Sequence, residues 1–403
     1  MCMKIKIFKY SAVILSVFVG FPTMAAGSKA GDRAVSVRTI RSEMGRNPSA
    51  FHLDGRAGKP KWNYTTGLEL LAFQDAASKY GLEDVDRYVT AWADGMIKGG
   101  RILTYKTENY NLDHICPGRI YFALYDRTGK AEYKAVLDTL FAQLGRQPRT
   151  QAGPFWHKKA YPYQVWLDGL YMAEPFYAEY VKRFIPQEKQ AEYWADIIRE
   201  FTVAAEKTKD SATGLFRHAW DESRSMFWAD KATGLSAHAW GRAMGWFAVA
   251  LVDVLEIMPQ DVPGRKDLES LVQYLADTLP SWSDKKTGMW YQVLDCPGRE
   301  GNYLESTCSA MFTLMYLKAI RLGVLDKSYS AYAAKTYKRL LKTFVRRDAG
   351  GRLSLTSCCS VGGLGGPRRR AGDFAYYLSE PIVDNDCKGI GPLIWVALEI
   401  EKQ

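Results

Sequence analysis

One carboxylate stands apart in this chain. Asp168 lies within Tyr161-Pro-Tyr-Gln-Val-Trp-Leu-Asp-Gly-Leu-Tyr-Met-Ala-Glu-Pro-Phe, with no basic residue within eight positions. Helical spacing from Asp168 reaches Gln164, Val165, Tyr171 and Met172, so no Lys or Arg can pair with it locally. Among aromatic and aliphatic neighbours a carboxyl is expected to resist ionisation, because desolvation disfavours the charged form. A carboxyl that keeps its proton near neutral pH can act as a proton donor. The same residue could instead serve as a helix N-cap, with Asp168-Gly169 opening a helix. On this segment alone both readings stand.

Four further segments gather polar groups among aromatics. Asn111-Leu-Asp-His-Ile-Cys-Pro-Gly118 offers Asp113 and His114, and His157-Lys158 comes shortly before the Trp166 to Asp168 run. Gly214-Leu-Phe-Arg-His-Ala-Trp-Asp-Glu222 offers His218, and Trp240-Gly-Arg-Ala-Met-Gly-Trp246 sets Arg242 between Trp240 and Trp246. A guanidinium forks carboxylates and stacks on aromatic faces, so Arg242 suits a carboxylate ligand; a core Arg joining two hairpins is the alternative. Of the five histidines, His114, His157, His218 and His238 lie in or beside these segments and His52 does not. No HExxH pattern or dense carboxylate cluster accompanies them, so no catalytic metal and no cofactor is expected. The absence of a Gly-x-Ser-x-Gly elbow argues against a serine nucleophile. The stretch Gly362-Gly-Leu-Gly-Gly-Pro-Arg-Arg-Arg-Ala-Gly372 reads as a flexible basic loop. A solvated surface loop is favoured there over one laid across an anionic substrate.

These segments need a scaffold, and its elements are helical. Apolar residues recur at helical spacing through most of the chain, and strand-like alternation is scarce. Helices are predicted to begin near Ala34, Trp62, Asp84, His114, Ala131, Gln164, Glu188, His238, Arg265, Tyr303, Tyr329 and Asp386. An internal repeat points to how they assemble. Asp210-Ser-Ala-Thr-Gly-Leu-Phe-Arg-His-Ala-Trp-Asp221 matches Asp284-Lys-Lys-Thr-Gly-Met-Trp-Tyr-Gln-Val-Leu-Asp295, and each copy leads into a helix containing Ala-Met. Related turns stand at Asp126-Arg-Thr-Gly129 and Asp230-Lys-Ala-Thr-Gly234, with Asp starting each turn and Gly supplying the positive φ. Helix-loop-helix units repeating at intervals of some tens of residues suggest a closed array, and twelve helices in six hairpins make an α/α toroid.

The chain's opening has a basic start, a short apolar run and small residues ending at Ala25-Ala26, the pattern of an export signal over residues 1–26. No later segment approaches the roughly 20 apolar residues of a membrane helix. Residues 27–403 are expected to form one exported domain, monomeric or weakly self-associating, with no membrane partner. Loss of Lys4, Lys6 and Lys9 takes the net charge from +10 to +7. That favours an anionic partner, and with no nucleic-acid motif present an acidic polysaccharide fits best. Cys116, Cys296, Cys308, Cys358, Cys359 and Cys387 are too few for a disulfide framework in a chain this long, so free thiols are expected, with pairing near Cys358, Cys359 and Cys387 left open.

Taken together, His157-Lys158 with Tyr161 to Met172, Trp240 to Trp246, Trp290-Tyr-Gln-Val-Leu-Asp295, Asn302-Tyr-Leu-Glu-Ser306 and Tyr377-Leu-Ser-Glu-Pro-Ile-Val-Asp-Asn-Asp-Cys-Lys-Gly389 resemble the unsaturated rhamnogalacturonyl hydrolases, glycoside hydrolase family 105, and more distantly the unsaturated glucuronyl hydrolases. The resemblance runs from about Trp62 to the C-terminus. It implies an all-α (α/α)6 barrel with a central funnel. The implied substrate is a lyase product ending in 4,5-unsaturated galacturonic acid, and the implied chemistry is hydration of that double bond. Carried over by position, Asp168 matches the general acid/base and Asp113 a second aspartate that orients substrate or tunes Asp168. His218, Arg242, Lys158 and Trp166 match substrate or water contacts, and Trp240 and Trp246 shape the pocket. The Pro367-Arg-Arg-Arg370 stretch carries more arginine than the family pattern suggests. Three rival readings remain: an unsaturated glucuronyl hydrolase, an ordinary inverting glycosidase using Asp113 and Asp168, and a non-catalytic binder of acidic glycans.

Overall fold

The computed structural model describes residues 34–402; the signal segment lies outside them. Helices alternate between an outer and an inner ring. In chain order they are α1 (Val35–Arg46, outer), α2 (Tyr64–Tyr80, inner), α3 (Glu83–Gly95, outer), α4 (Ile120–Thr128, inner), α5 (Ala131–Leu144, outer), α6 (Leu167–Phe184, inner), α7 (Gln190–Thr208, outer), α8 (Gly241–Ile257, inner), α9 (Arg265–Thr278, outer), α10 (Ser306–Arg321, inner) and α11 (Ser330–Phe344, outer). A one-and-a-half-turn helix, α12 (Phe374–Ser379), precedes the last inner helix, α13 (Cys387–Glu401). The inner helices pack in the cyclic order α2, α4 with the 3-10 turns before it, α6, α8, α10, α13 and back to α2. The first and last helices form the sixth hairpin. Ser36 N and Oγ donate to Glu401 at 3.1 and 2.5 Å, and Tyr80 Oη donates to the same carboxylate at 2.8 Å. The all-helical (α/α)6 barrel is the observed fold.

Composition explains the two rings. Every residue of α8 from Gly241 to Leu255 is buried, as a helix packed on all sides requires, whereas α11 buries only Ala333, Thr336, Tyr337, Leu340 and Phe344, one stripe at helical spacing. Close approach of inner helices uses small residues: a Cβ on Gly241 would sit 2.7 Å from Tyr291 O and 2.9 Å from Cys308 Sγ.

Connections divide by end. Inner-to-outer links such as 129–130 and 185–189 are short. Outer-to-inner links such as 145–166, 209–240, 279–305 and 345–386 are long, so one mouth of the barrel holds both the inner-helix N-termini and nearly all the irregular chain. Small antiparallel ribbons stiffen these links: β1 (Ile97–Lys98) with β2 (Arg101–Ile102), β3 (Gln164–Trp166) with β4 (Ala219–Asp221), β5 (Val345–Arg347) with β6 (Leu353–Leu355), and β7 (Cys358–Cys359) with β8 (Ile382–Val383).

The repeat is structural. Asp210 and Asp284 each follow an outer helix, accept from the Thr213 and Thr287 hydroxyls, and lead to Gly214 and Gly288 at φ 74° and 71°. Asp230, Thr233 and Gly234 repeat the turn. Asp126 does not: it lies inside α4 and pairs with Arg183, and Gly129 is that helix's left-handed C-cap. The six cysteines among the described residues are free thiols, with Cys358, Cys359 and Cys387 buried and unpaired.

Candidate active site

The β3–β4 ribbon builds the centre. Gln164 pairs with Asp221, Val165 with Trp220 and Trp166 with Ala219; Leu167 N then donates to His218 O at 3.1 Å. This register places Asp168, in the first turn of α6, beside His218: Asp168 Oδ2 and His218 Nε2 are 3.2 Å apart. Asp168 is not the N-cap. Trp166 takes that position with extended backbone and no side-chain cap bond, which leaves the carboxylate facing the mouth with its side chain 14% exposed. Its Oδ2 receives no aligned hydrogen bond, and no Lys or Arg lies within ion-pair distance among the described residues. His218 is fully buried, and its Nδ1 meets Tyr377 Oη at 2.7 Å.

Asp113 has the opposite surroundings. It sits on a 3-10 turn before α4, where Lys158 Nζ donates to Oδ2 at 2.5 Å and His157 Nε2 lies 3.4 Å from Oδ1. Burial alone would raise its pKa, but the Lys158 ammonium, by its charge and its hydrogen bond, outweighs burial and holds it below the usual carboxylate range. His157 is neutral: burial, only partly opposed by Asp113, pushes it down to about 4. A Cβ on Gly169 would lie 3.1 Å from His157 Nδ1, so the residue after Asp168 must be small for α6 to approach this cluster.

Aromatic rings wall the site. Trp166 lies nearly parallel to His157 and Tyr161, with centroids 4.7 and 5.0 Å away, and its indole donates to Gln164 Oε1. Trp240, the residue before α8, backs His218 at 4.7 Å and donates to Gln292 Oε1. Arg242, in the first turn of α8, is 1% exposed. It lies 4.6 Å over the Trp240 ring and donates to Cys359 O, and Nε has no partner. No carboxylate pairs with it among the described residues, leaving a buried cation short of an anion. Trp246 lies one turn deeper, against Tyr171 at 4.6 Å and Tyr64 at 6.3 Å.

The sequence model of Glycosyl Hydrolase Family 88 matches residues 35–403. The chain belongs to this family. It is a glycoside hydrolase. A solved glycoside hydrolase from family 105 of C. acetobutylicum ATCC 824 is 38% identical, covers 92% of this chain and 100% of its own, and superposes with a TM-score of 0.87; this bears out the resemblance drawn from the motifs. A 24.9 kDa protein in the picA locus of Rhizobium radiobacter is 39% identical over 234 residues, 57% of this chain and 97% of that protein. The unsaturated glucuronyl hydrolase of Bacillus sp. GL1 shares the fold at 15% identity, with a TM-score of 0.62 over 85% of this chain and 88% of its own.

In this family 88 chain the predicted site residues converge at one mouth, and two neighbours join them that sequence reasoning did not single out. Tyr64, at the start of α2, is partly buried near Arg242, Asp113, Asp168 and Asp386; desolvation first, then these carboxylates, outweigh Arg242 and keep its phenol protonated. Tyr377 orders His218 from behind. The basic stretch 362–372 is exposed at its tip, residues 367–369, and anchored at its base. It is pressed onto the site: a Cβ on Gly362 would lie 2.3 Å from Trp240, Leu364 is buried with Trp166 and Trp228, and Arg370 donates to Tyr161 Oη at 3.2 Å.

The opposite mouth offers no comparable chemistry. A cavity of about 510 Å³ opens there, but its charges satisfy one another: Arg119 pairs with Asp253 at 2.8 Å, Lys318 with Asp253 at 2.7 Å and Arg321 with Glu399 at 2.6 Å. Near the site, His238, Asp295 and Cys296 have ligand-type atoms within 4.8 Å of one another, yet Asp295 Oδ2 already accepts from Arg217 at 2.7 Å, a cation that opposes a metal ion.

Proposed function

We propose that this hydrolase removes a 4,5-unsaturated galacturonyl residue from the non-reducing end of lyase-generated rhamnogalacturonan oligosaccharides. The observation that carries the reading is the contrast between two aspartates at one mouth. Asp113 is ion-paired to Lys158 and held ionised, whereas Asp168 has no Lys or Arg partner and one carboxylate oxygen without an aligned hydrogen bond. Two carboxyl groups in such different environments divide the roles of acid and stabiliser. Arg242, a buried guanidinium without an anion, supplies the complement to the substrate's own carboxylate. Lys158, Trp166 and the rings around them offer polar and stacking contacts for the sugar, with Trp240 and Trp246 shaping the floor.

The reaction runs by addition to the double bond. Asp168 gives its proton to C4 of the vinyl ether, and positive charge develops at C5 beside the ring oxygen. Water adds at C5 and returns a proton to the Asp168 carboxylate, beside which His218 lies at 3.2 Å. The C5 hemiketal opens to a ketone, C1 is left as a hemiacetal, and its collapse releases the rest of the oligosaccharide. No glycosyl-enzyme forms, so the separation of the carboxylates does not set the stereochemistry as in ordinary glycosidases. The N-terminal segment supports an exported enzyme that meets such fragments outside the cytoplasm. The 4,5 double bond removes the C4 centre that separates galacturonate from glucuronate, so a glucuronate-derived substrate would use the same chemistry and differ in its linkage and next sugar; the 38% identity to a family 105 enzyme across nearly the whole chain favours the rhamnose-linked substrate.

The test is loss of the ultraviolet absorbance of the conjugated double bond. Unsaturated galacturonyl-rhamnose is expected to be bleached faster than unsaturated glucuronyl disaccharides. Turnover confined to saturated glycosides would contradict the mechanism, and binding without turnover would make the protein a glycan-binding module.

A further inference from the structure

The arginine-rich stretch has a built form. Gly365 and Arg370 exchange backbone hydrogen bonds at 2.9 and 3.1 Å, closing a hairpin whose exposed tip carries Pro367, Arg368 and Arg369. Its base is anchored. Leu364 is buried against Trp166 and Trp228, and Arg370 holds Tyr161, whose ring lies parallel to Trp166 beside the Asp168–His218 pair. At the tip Arg369 lies 4.7 Å over Phe227, a ring that is 44% exposed, and no carboxylate forms an ion pair with Arg368, Arg369 or Arg370 among the described residues. Beside the hairpin, Trp228 is 5% exposed with its indole N–H unpartnered, 3.5 Å from where a Cβ of Gly365 would stand. Cationic forks without anions and an exposed aromatic face thus line one edge of the mouth, over the buried Trp228.

We propose that the 365–370 hairpin and Phe227 form a subsite for a second carboxylate of the oligosaccharide, a uronate sugar lying beyond the bond that is cut. Guanidinium groups fork carboxylates, and a ring such as Phe227 accepts the apolar face of a sugar. The hairpin carries no group needed for the chemical step, so the subsite acts on binding. The inference rests on the proposed reaction at Asp168.

The test compares wild type with Arg368→Gln/Arg369→Gln on two unsaturated substrates: a disaccharide with a neutral second sugar, and a tetrasaccharide with an internal uronate. Exposed charge contacts are individually weak, so KM for the tetrasaccharide is expected to rise roughly three- to tenfold with kcat unchanged. Added salt should produce the same rise in wild type, and disaccharide kinetics should not move. An unchanged tetrasaccharide KM, or an equal change on both substrates, overturns the subsite while leaving the Asp168 reaction intact. A change seen only with a sulfated tetrasaccharide overturns the uronate assignment. Wild-type inactivity on both substrates removes the reaction itself, and the subsite with it.

Discussion

Replacing Arg242 with Met separates a structural arginine from one kept for a ligand. In the free protein the guanidinium is 1% exposed and has one backbone acceptor, Cys359 O, one aromatic face, Trp240, an unpaired Nε and no carboxylate partner. Removing a charge of this size from water costs several kcal/mol. Against that stand a charge-assisted hydrogen bond of about 1.5–3 kcal/mol and a desolvated cation–π contact of about 2 kcal/mol. These terms nearly cancel, so Arg242→Met, similar in length and apolar, is expected to change stability by no more than about 2 kcal/mol. Substrate binding is different. Deleting one member of a buried charge pair costs about 2–5 kcal/mol, so kcat/KM should fall roughly 30- to several-thousand-fold. Urea denaturation and steady-state kinetics on the unsaturated disaccharide measure the two effects. A stability loss above about 3 kcal/mol with kcat/KM nearly unchanged would refute the argument and make Arg242 a staple between hairpins.

Three further outcomes follow from the same geometry. Tyr377→Phe removes the partner of His218 Nδ1 at 2.7 Å and leaves every residue assigned to the substrate in place. Loss of about 1–2 kcal/mol should lower kcat roughly five- to thirtyfold at nearly constant KM, and an unchanged kcat would exclude Tyr377 as a positioning residue. His157 titrates near 6.5 when unfolded and at about 4 when folded, because burial disfavours its charged form. The unfolded chain therefore binds the proton first, and the stability present above pH 6.5 drains as pH falls towards 4, by at most about 3 kcal/mol. Melting curves of His157→Gln should lose that part of the acid sensitivity. Gly241→Ala places a Cβ 2.7 Å from Tyr291 O and 2.9 Å from Cys308 Sγ of α10, so a destabilisation of about 1–3 kcal/mol is expected in urea melts; a neutral result would show that α8 can part from α10 and from the link before it.

Helix periodicity and the repeated Asp-x-x-Thr-Gly turns were enough to read the barrel from sequence. The structure starts α5 at Ala131 and α9 at Arg265, as their spacing predicts. It was less legible where distant chain intervenes. The segment at Gln164 opens as a strand because it pairs with residues 219–221, and α4 begins at Ile120, after the 3-10 turns around Cys116 and Pro117. The same non-local pairing brings Asp168 to His218, a contact no local pattern encodes. Asp113 stood out as an acid among aromatics, but its ion pair with Lys158 spans 45 positions. Tyr64 escaped notice, and Tyr377 was named only within a motif and given no role, because a functional phenol and a core tyrosine look alike in a chain with 24 tyrosines. The basic stretch at 367–370 was read as a solvated loop; the anchors that hold it down, Leu364 under Trp166 and Gly362 against Trp240, become visible only in three dimensions.

The central claim is that Asp168 supplies the proton for the double bond. Asp168→Asn keeps the shape of the side chain and its place beside His218 but carries no acidic proton, so the folded variant is expected to leave the absorbance of the unsaturated disaccharide essentially unchanged while still binding it. Bleaching by folded Asp168→Asn at close to the wild-type rate would contradict the account.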